Sequence, residues 1–123
     1  MPITWIKKGE ITGSATFTNS YIVINKSFAD RFTDAYSVLV GIDDKQNVIL
    51  KPLRLDEAET PLYKDALLLK VNIMNTYVRL GNTANMKTIG ELLNEEFSKT
   101  GIKYQTLWNE KENALEVLRK GEN

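Results

Sequence analysis

The 123-residue chain contains no cysteine and no histidine. The first absence excludes disulfides, thiolate nucleophiles and cysteine-ligated zinc or iron–sulfur centres. The second removes the commonest metal ligand and the usual acid–base group at neutral pH. Any bound metal has to be a hard cation held by oxygen, such as Mg²⁺ or Ca²⁺. An excess of one charge is missing as well. Sixteen Lys and Arg balance sixteen Asp and Glu, so no global field draws the protein to nucleic acid or to an anionic membrane. No apolar run approaches the roughly 18 residues a membrane-crossing helix needs. The N-terminal MPITWIKKG lacks the apolar centre of a signal peptide. A cytoplasmic location with no membrane partner is expected. The seven glycines are scattered and form neither a dinucleotide fingerprint nor a phosphate loop, so no cofactor is expected.

What remains is a globular composition, 42% hydrophobic and 26% charged, in a chain of single-domain length. Residues 13–18 are rich in Thr and small side chains, as in an edge strand, and Asn19-Ser20 reads as a turn. Tyr21-Ile22-Val23-Ile24 sets four apolar residues together, as in a strand covered on both faces. Asn25 offers an N-cap to a helix over about 26–32, with Phe28, Ala29 and Phe32 on one face. Residues 36–42 are β-rich, 43–47 (DDKQN) form a polar turn, and 48–50 return as the hairpin partner. Pro52 marks the end of that strand or an edge.

The acidic segment 54–65 (RLDEAETPLYKD) is the linker candidate. After it, 66–71 is densely apolar and the pattern continues to Leu80, followed by a polar loop at 81–86. Thr88-Ile89-Gly90-Glu91 fits a capping box. It opens a predicted helix to about Ser98, with Ile89, Leu92, Leu93 and Phe97 inward and Gly101 as its stop. Residues 104–108, a polar turn at 109–113 (NEKEN) and 114–118 form a second hairpin. The expected fold is α+β, mainly β. Two βαββ-like units, about 11–53 and 66–120, make a small barrel or strongly bent sheet with two short helices.

The stretch Ile22-Val23-Ile24-Asn25-Lys26, followed by a short helix and a hairpin ending Val48-Ile49-Leu50-Lys51-Pro52-Leu53, resembles the AbrB/MazE swapped-hairpin module. That module occurs in bacterial and archaeal regulators and antitoxins. The resemblance implies that one βαββ unit is half a barrel, completed by dimerisation or, in a duplicated chain, internally. It also implies a non-catalytic, regulatory module that meets duplex DNA through Lys and Arg on loops and strand ends. Lys26, Lys51, Arg54, Arg79 and Lys87 are the positions it marks here. Isolated basic residues more often solvate a face. The alternative is a protein-interaction domain that self-associates, as a homodimer for instance, through an exposed strand edge.

Enzyme chemistry has two footholds. Pro2, if Met1 is removed, resembles the N-terminal proline base of the tautomerase superfamily. That family follows its first strand with a long helix, where this chain has Gly9 and a β/turn pattern. The carboxylate pairs Asp43-Asp44, Asp56-Glu57 with Glu59, Glu95-Glu96 and Glu110 with Glu112 fall in turns, the linker and a helix face, where they read as solubilising charge. No catalytic residue and no metal ligand is assigned. Aromatics in strand-like segments with Lys nearby also match base-stacking surfaces of single-strand binders, although cross-strand packing explains most of them.

Overall fold

A computed structural model describes residues 13–119, with the side chains of Lys26 and Ser27 excepted; Pro2 lies outside the described residues. The chain is mainly β. Eight antiparallel strands close into a barrel in the order β1-β2-β6-β5-β3-β4-β8-β7. The strands are β1 (Gly13–Phe17), β2 (Ile22–Ile24), β3 (Ser37–Ile42), β4 (Val48–Leu53), β5 (Leu68–Ile73), β6 (Val78–Leu80), β7 (Ile102–Asn109) and β8 (Ala114–Leu118). One short helix, α1 (Lys26–Ala29), continues into a 3₁₀ turn at Asp30–Phe32. The four-residue α2 (Leu55–Ala58) sits in the crossover from β4 to β5, and a longer helix, α3 (Thr83–Leu93), lies between β6 and β7.

Alternation decides what fills the barrel, because successive strand side chains point to opposite faces. Ala15, Phe17, Ile22, Ile24, Val38, Val48, Leu50, Leu69, Leu80, Leu115 and Val117 are all fully buried. Phe28 and Phe32 from α1 and its 3₁₀ extension join this core against Trp108, with ring centroids 6.4 and 6.3 Å away. From α3, Met86, Ile89 and Leu93 pack on it. Burying a side chain of this size contributes about 1.5–3 kcal/mol, so the barrel's stability rests on these rows.

Exchanging β1–β4 with β5–β8 leaves every strand's neighbours unchanged. The register repeats too. Ala15, Thr16 and Phe17 pair with Ile24, Val23 and Ile22, just as Val71, Asn72 and Ile73 pair with Leu80, Arg79 and Val78.

Several expectations need correction. β1 is not an edge strand, since β2 and β7 flank it. A closed barrel leaves no free edge among the described strands, so the expected route to self-association is absent there. The second helix starts at Thr83, not near Thr88. Asn82 caps it by accepting the Asn85 amide at 2.9 Å, and Asn85 returns the bond at 3.1 Å. Thr88 is interior to the helix and bonds the Ala84 carbonyl. The helix stops at Leu93 because Asn94 turns left-handed, φ 56°, a conformation Asn tolerates better than most residues. Leu92 faces outward, 62% exposed, because Met86, Ile89 and Leu93 set the buried face of the helix, and Phe97 reaches the core from the following extended segment. The presumed linker is an ordered crossover in which the Glu57 carboxylate accepts the Arg54 amide at 2.9 Å. The second turn is shorter than expected, because Asn109 is still in strand and pairs with Ala114.

Candidate functional site

The outward positions of the strands separate the barrel into two chemically different walls. One wall is β7-β1-β2-β6-β5. Cross-strand pairing links Lys103, Thr16, Val23, Arg79 and Asn72 into one continuous row. At about 4.8 Å per strand, Lys103 and Arg79 lie roughly 14 Å apart. Lys70, two residues before Asn72, stands diagonal to Arg79 at roughly 7 Å. Lys70 and Lys103 are exposed, while Arg79 and Tyr21 are half-buried. The Arg79 guanidinium carbon sits 4.9 Å from the Tyr21 ring centroid, a cation–π contact that orients both groups. None of these five strands contains Asp or Glu.

The other wall is β3-β4-β8 with its hairpin turns. Here Asp43 and Asp44 follow β3, Glu110 and Glu112 occupy the second turn, and Glu116 projects from β8. Lys45 and Lys111 share those turns and Lys51 lies on β4, so this wall carries both signs with an acidic excess, whereas the strands of the first wall carry cations alone. Asp43 is built into its turn: its Oδ1 accepts the Lys45 and Asn47 amides, each at 2.9 Å. Slight desolvation pulls its pKa upward, but those amides, the Asn47 side chain and the Lys45 charge together hold it below the ordinary value.

The five basic positions marked by the sequence do not share one face. Arg79 belongs to the basic wall. Lys26 opens α1, separated from β2 by the N-cap Asn25. Lys87 is exposed on α3 and borders a groove of about 760 Å³ together with Glu91, Glu95 and Glu96, so carboxylates outnumber it. Lys51 lies on β4, three strands round the barrel from β6, and its ammonium donates to the Glu112 carbonyl. Arg54 is exposed, and its Nε is 3.4 Å from Asp56 and 3.7 Å from Glu57. Lys70 and Lys103 escaped the sequence reading, although each interrupts an apolar alternation (LLKVN, IKYQT) at an outward position.

A separate polar cluster holds one end of the barrel together. Arg119, whose side chain is 11% exposed, donates to the Gln46 carbonyl at 3.0 Å, and to the Leu93 carbonyl and Glu95 at 3.4 Å each. Burial raises the pKa of neighbouring Tyr104. The Arg119 charge pulls it back and the Glu95 charge adds to the rise. These bonds join α3, the first hairpin and the end of β8, which is a structural role. Among the described residues no group of three or more acidic side chains is arranged to hold a metal ion, and no helix is long and apolar enough to cross a membrane. Comparison with protein-family models, curated proteins and solved structures gives no match for this chain.

Proposed function

We propose that the chain is a non-catalytic regulatory module that binds nucleic acid, and that the β7-β1-β2-β6-β5 wall is its contact face. One observation carries the reading: five adjacent strands without a single acidic residue present Lys70, Arg79 and Lys103, with Arg79 stacked on Tyr21. Separated cations can meet successive phosphates, and a Tyr with a stacked Arg can receive a base. The resemblance of 21–53 to the AbrB/MazE module supports the same reading. So does the symmetric pairing pattern, which we take as two equivalent halves closing one barrel within one chain.

The test uses a short labelled duplex of mixed sequence and its single strand, titrated at low and high salt. Binding should weaken with salt, by a log–log slope of about −0.9 per neutralised phosphate in duplex or about −0.7 in single strand. The triple variant Lys70→Glu, Arg79→Glu, Lys103→Glu should abolish binding and leave the melting temperature nearly unchanged. The double variant Lys51→Glu, Arg54→Glu on the far side should bind like the wild type. Absence of binding at low salt, or survival in the triple variant, rejects the proposal.

A second reading is self-association. Leu92 and Ile42, 62% and 40% exposed, border an apolar hollow of about 220 Å³ with Val40, Leu67 and Ile89. Light scattering decides it. A mass that stays monomeric as concentration rises sets it aside.

A further inference from the structure

The acidic wall carries a depression of about 520 Å³ that no part of the nucleic-acid reading uses. That volume is ordinary for a ligand site. Its cause is visible in the strand rows. Gly41 pairs with Ile49, and Ile49 pairs with Glu116. Gly41 and Ala114 are the small residues there, set among the outward side chains Leu39 and Ile49, so the sheet surface dips between them. Tyr63, from the crossover after α2, stands as one side of the dip. The rest of the rim is charged: Asp43 at one end, Glu116 along the middle, and Glu112 with Lys51 at the other. The Lys51 ammonium donates to the Glu112 carbonyl, Glu116 accepts from the Asn109 side chain at 2.8 Å and Asp43 accepts from its own turn, so the rim sets three carboxylate charges against one lysine.

From these contacts we infer that the groove is a docking site for a short extended segment of a partner protein that presents a bulky apolar side chain between two basic ones. The floor supplies the apolar complement and the rim supplies the charge complement. Length selects a peptide over a small amine. The groove runs along β3 from Leu39 to Asp43, about 13 Å at the rise of a β-strand. Its end carboxylates are thus too far apart for one ammonium to serve both. Among the described strands no edge is free, so recognition at this groove comes through side chains and not through β-augmentation.

The probe is a fluorescein-labelled peptide with alternating Arg and Leu, followed by fluorescence anisotropy against the whole chain. Wild-type protein should bind it with an affinity that falls as salt rises. A Cβ built at Gly41 meets nothing closer than Ile49 at 3.9 Å, so Gly41→Leu fills the groove without backbone strain. It should lower affinity at least tenfold while melting as the wild type does. The pair Glu112→Gln, Glu116→Gln should weaken binding several-fold and flatten the salt dependence. A control peptide with Ser in place of Leu should bind at least tenfold more weakly. The inference is overturned if the wild type fails to bind the Arg–Leu peptide, if Gly41→Leu binds it unchanged, or if the Ser peptide binds equally well.

Discussion

The strand sets β1–β4 and β5–β8 have equivalent neighbours in the barrel and yet end in different surroundings. Phe17 of β1 and Ile73 of β5 hold the same place in the ladder, opposite Ile22 and Val78. Phe17 is fully buried and Ile73 is 56% exposed. The difference lies in the length of chain between each half's helix and its next strand. The second half runs on through 94–101, so Phe97 packs against Phe17 at 5.6 Å and the Ser98 carbonyl accepts the Asn19 amide at 3.0 Å. The first half has only 33–36 between its 3₁₀ turn and β3, too little chain to cover Ile73. A symmetric skeleton thus carries asymmetric covers.

Outward positions diverge in the same manner. Val23 corresponds to Arg79 and Thr16 to Asn72, while the inward pairs Ile22 with Val78 and Ile24 with Leu80 stay apolar. Close packing constrains the interior in both halves, whereas solvent-facing positions are free to specialise. The strand cations of the basic wall, Lys70, Arg79 and Lys103, all come from the second half.

Two substitutions at the matched positions should split most widely. Phe17→Ala removes a fully buried ring that also meets Tyr104 edge-on at 5.3 Å, and should cost about 3–5 kcal/mol. Ile73→Ser should change stability by no more than about 0.5 kcal/mol. Chemical denaturation of both variants measures this directly. Equal costs would show that the covers do not differ as described.

The cover of the second half depends on Gly101, whose φ is +82° and whose added Cβ would lie 2.8 Å from the Phe17 carbonyl oxygen. Gly101→Ala should therefore cost about 1–3 kcal/mol and loosen the segment over Phe17, seen as faster amide exchange at Asn19. An unchanged exchange rate at Asn19 would mean that Gly101 does not anchor this cover.

Much of the skeleton was legible in the residues, and the reasons for the misses are physical. The strand 22–24, the short helix with Phe28, Ala29 and Phe32, and the first hairpin stand close to where periodicity put them. The α3 boundaries were misread because three cap-competent residues, Asn82, Thr83 and Thr88, compete in sequence. Only the reciprocal Asn82–Asn85 bonds decide between them. The stop at Asn94 was hidden by Gly101, the residue type more familiar at a helix end. The polarised walls were hidden in a different way. Net charge sums over the surface, whereas the position of Lys70 and Lys103 on one wall depends on long-range strand order that no local pattern contains.

The smallest effect we expect compares the two hairpin turns. Each is closed by its first polar side chain acting on a nearby amide. Asp43 accepts the Lys45 and Asn47 amides, and Asn109 accepts the Glu112 amide at 3.0 Å. The chemistry is shared, but only Asp43 titrates. Because its folded pKa lies below the unfolded value, its contribution is present above the usual Asp pKa of about 3.9. It is lost as pH falls through the lower folded value. Asp43→Asn should make the first turn resemble the second. It should lower stability slightly near neutrality and make the acid-induced fall in melting temperature shallower, so that the difference from the wild type shrinks as pH drops below about 4. An equal change from Asn109→Asp at the same acid pH, in the same direction, would show that the turns do not differ in this way. The carboxylate in the second turn should instead add acid sensitivity where none existed.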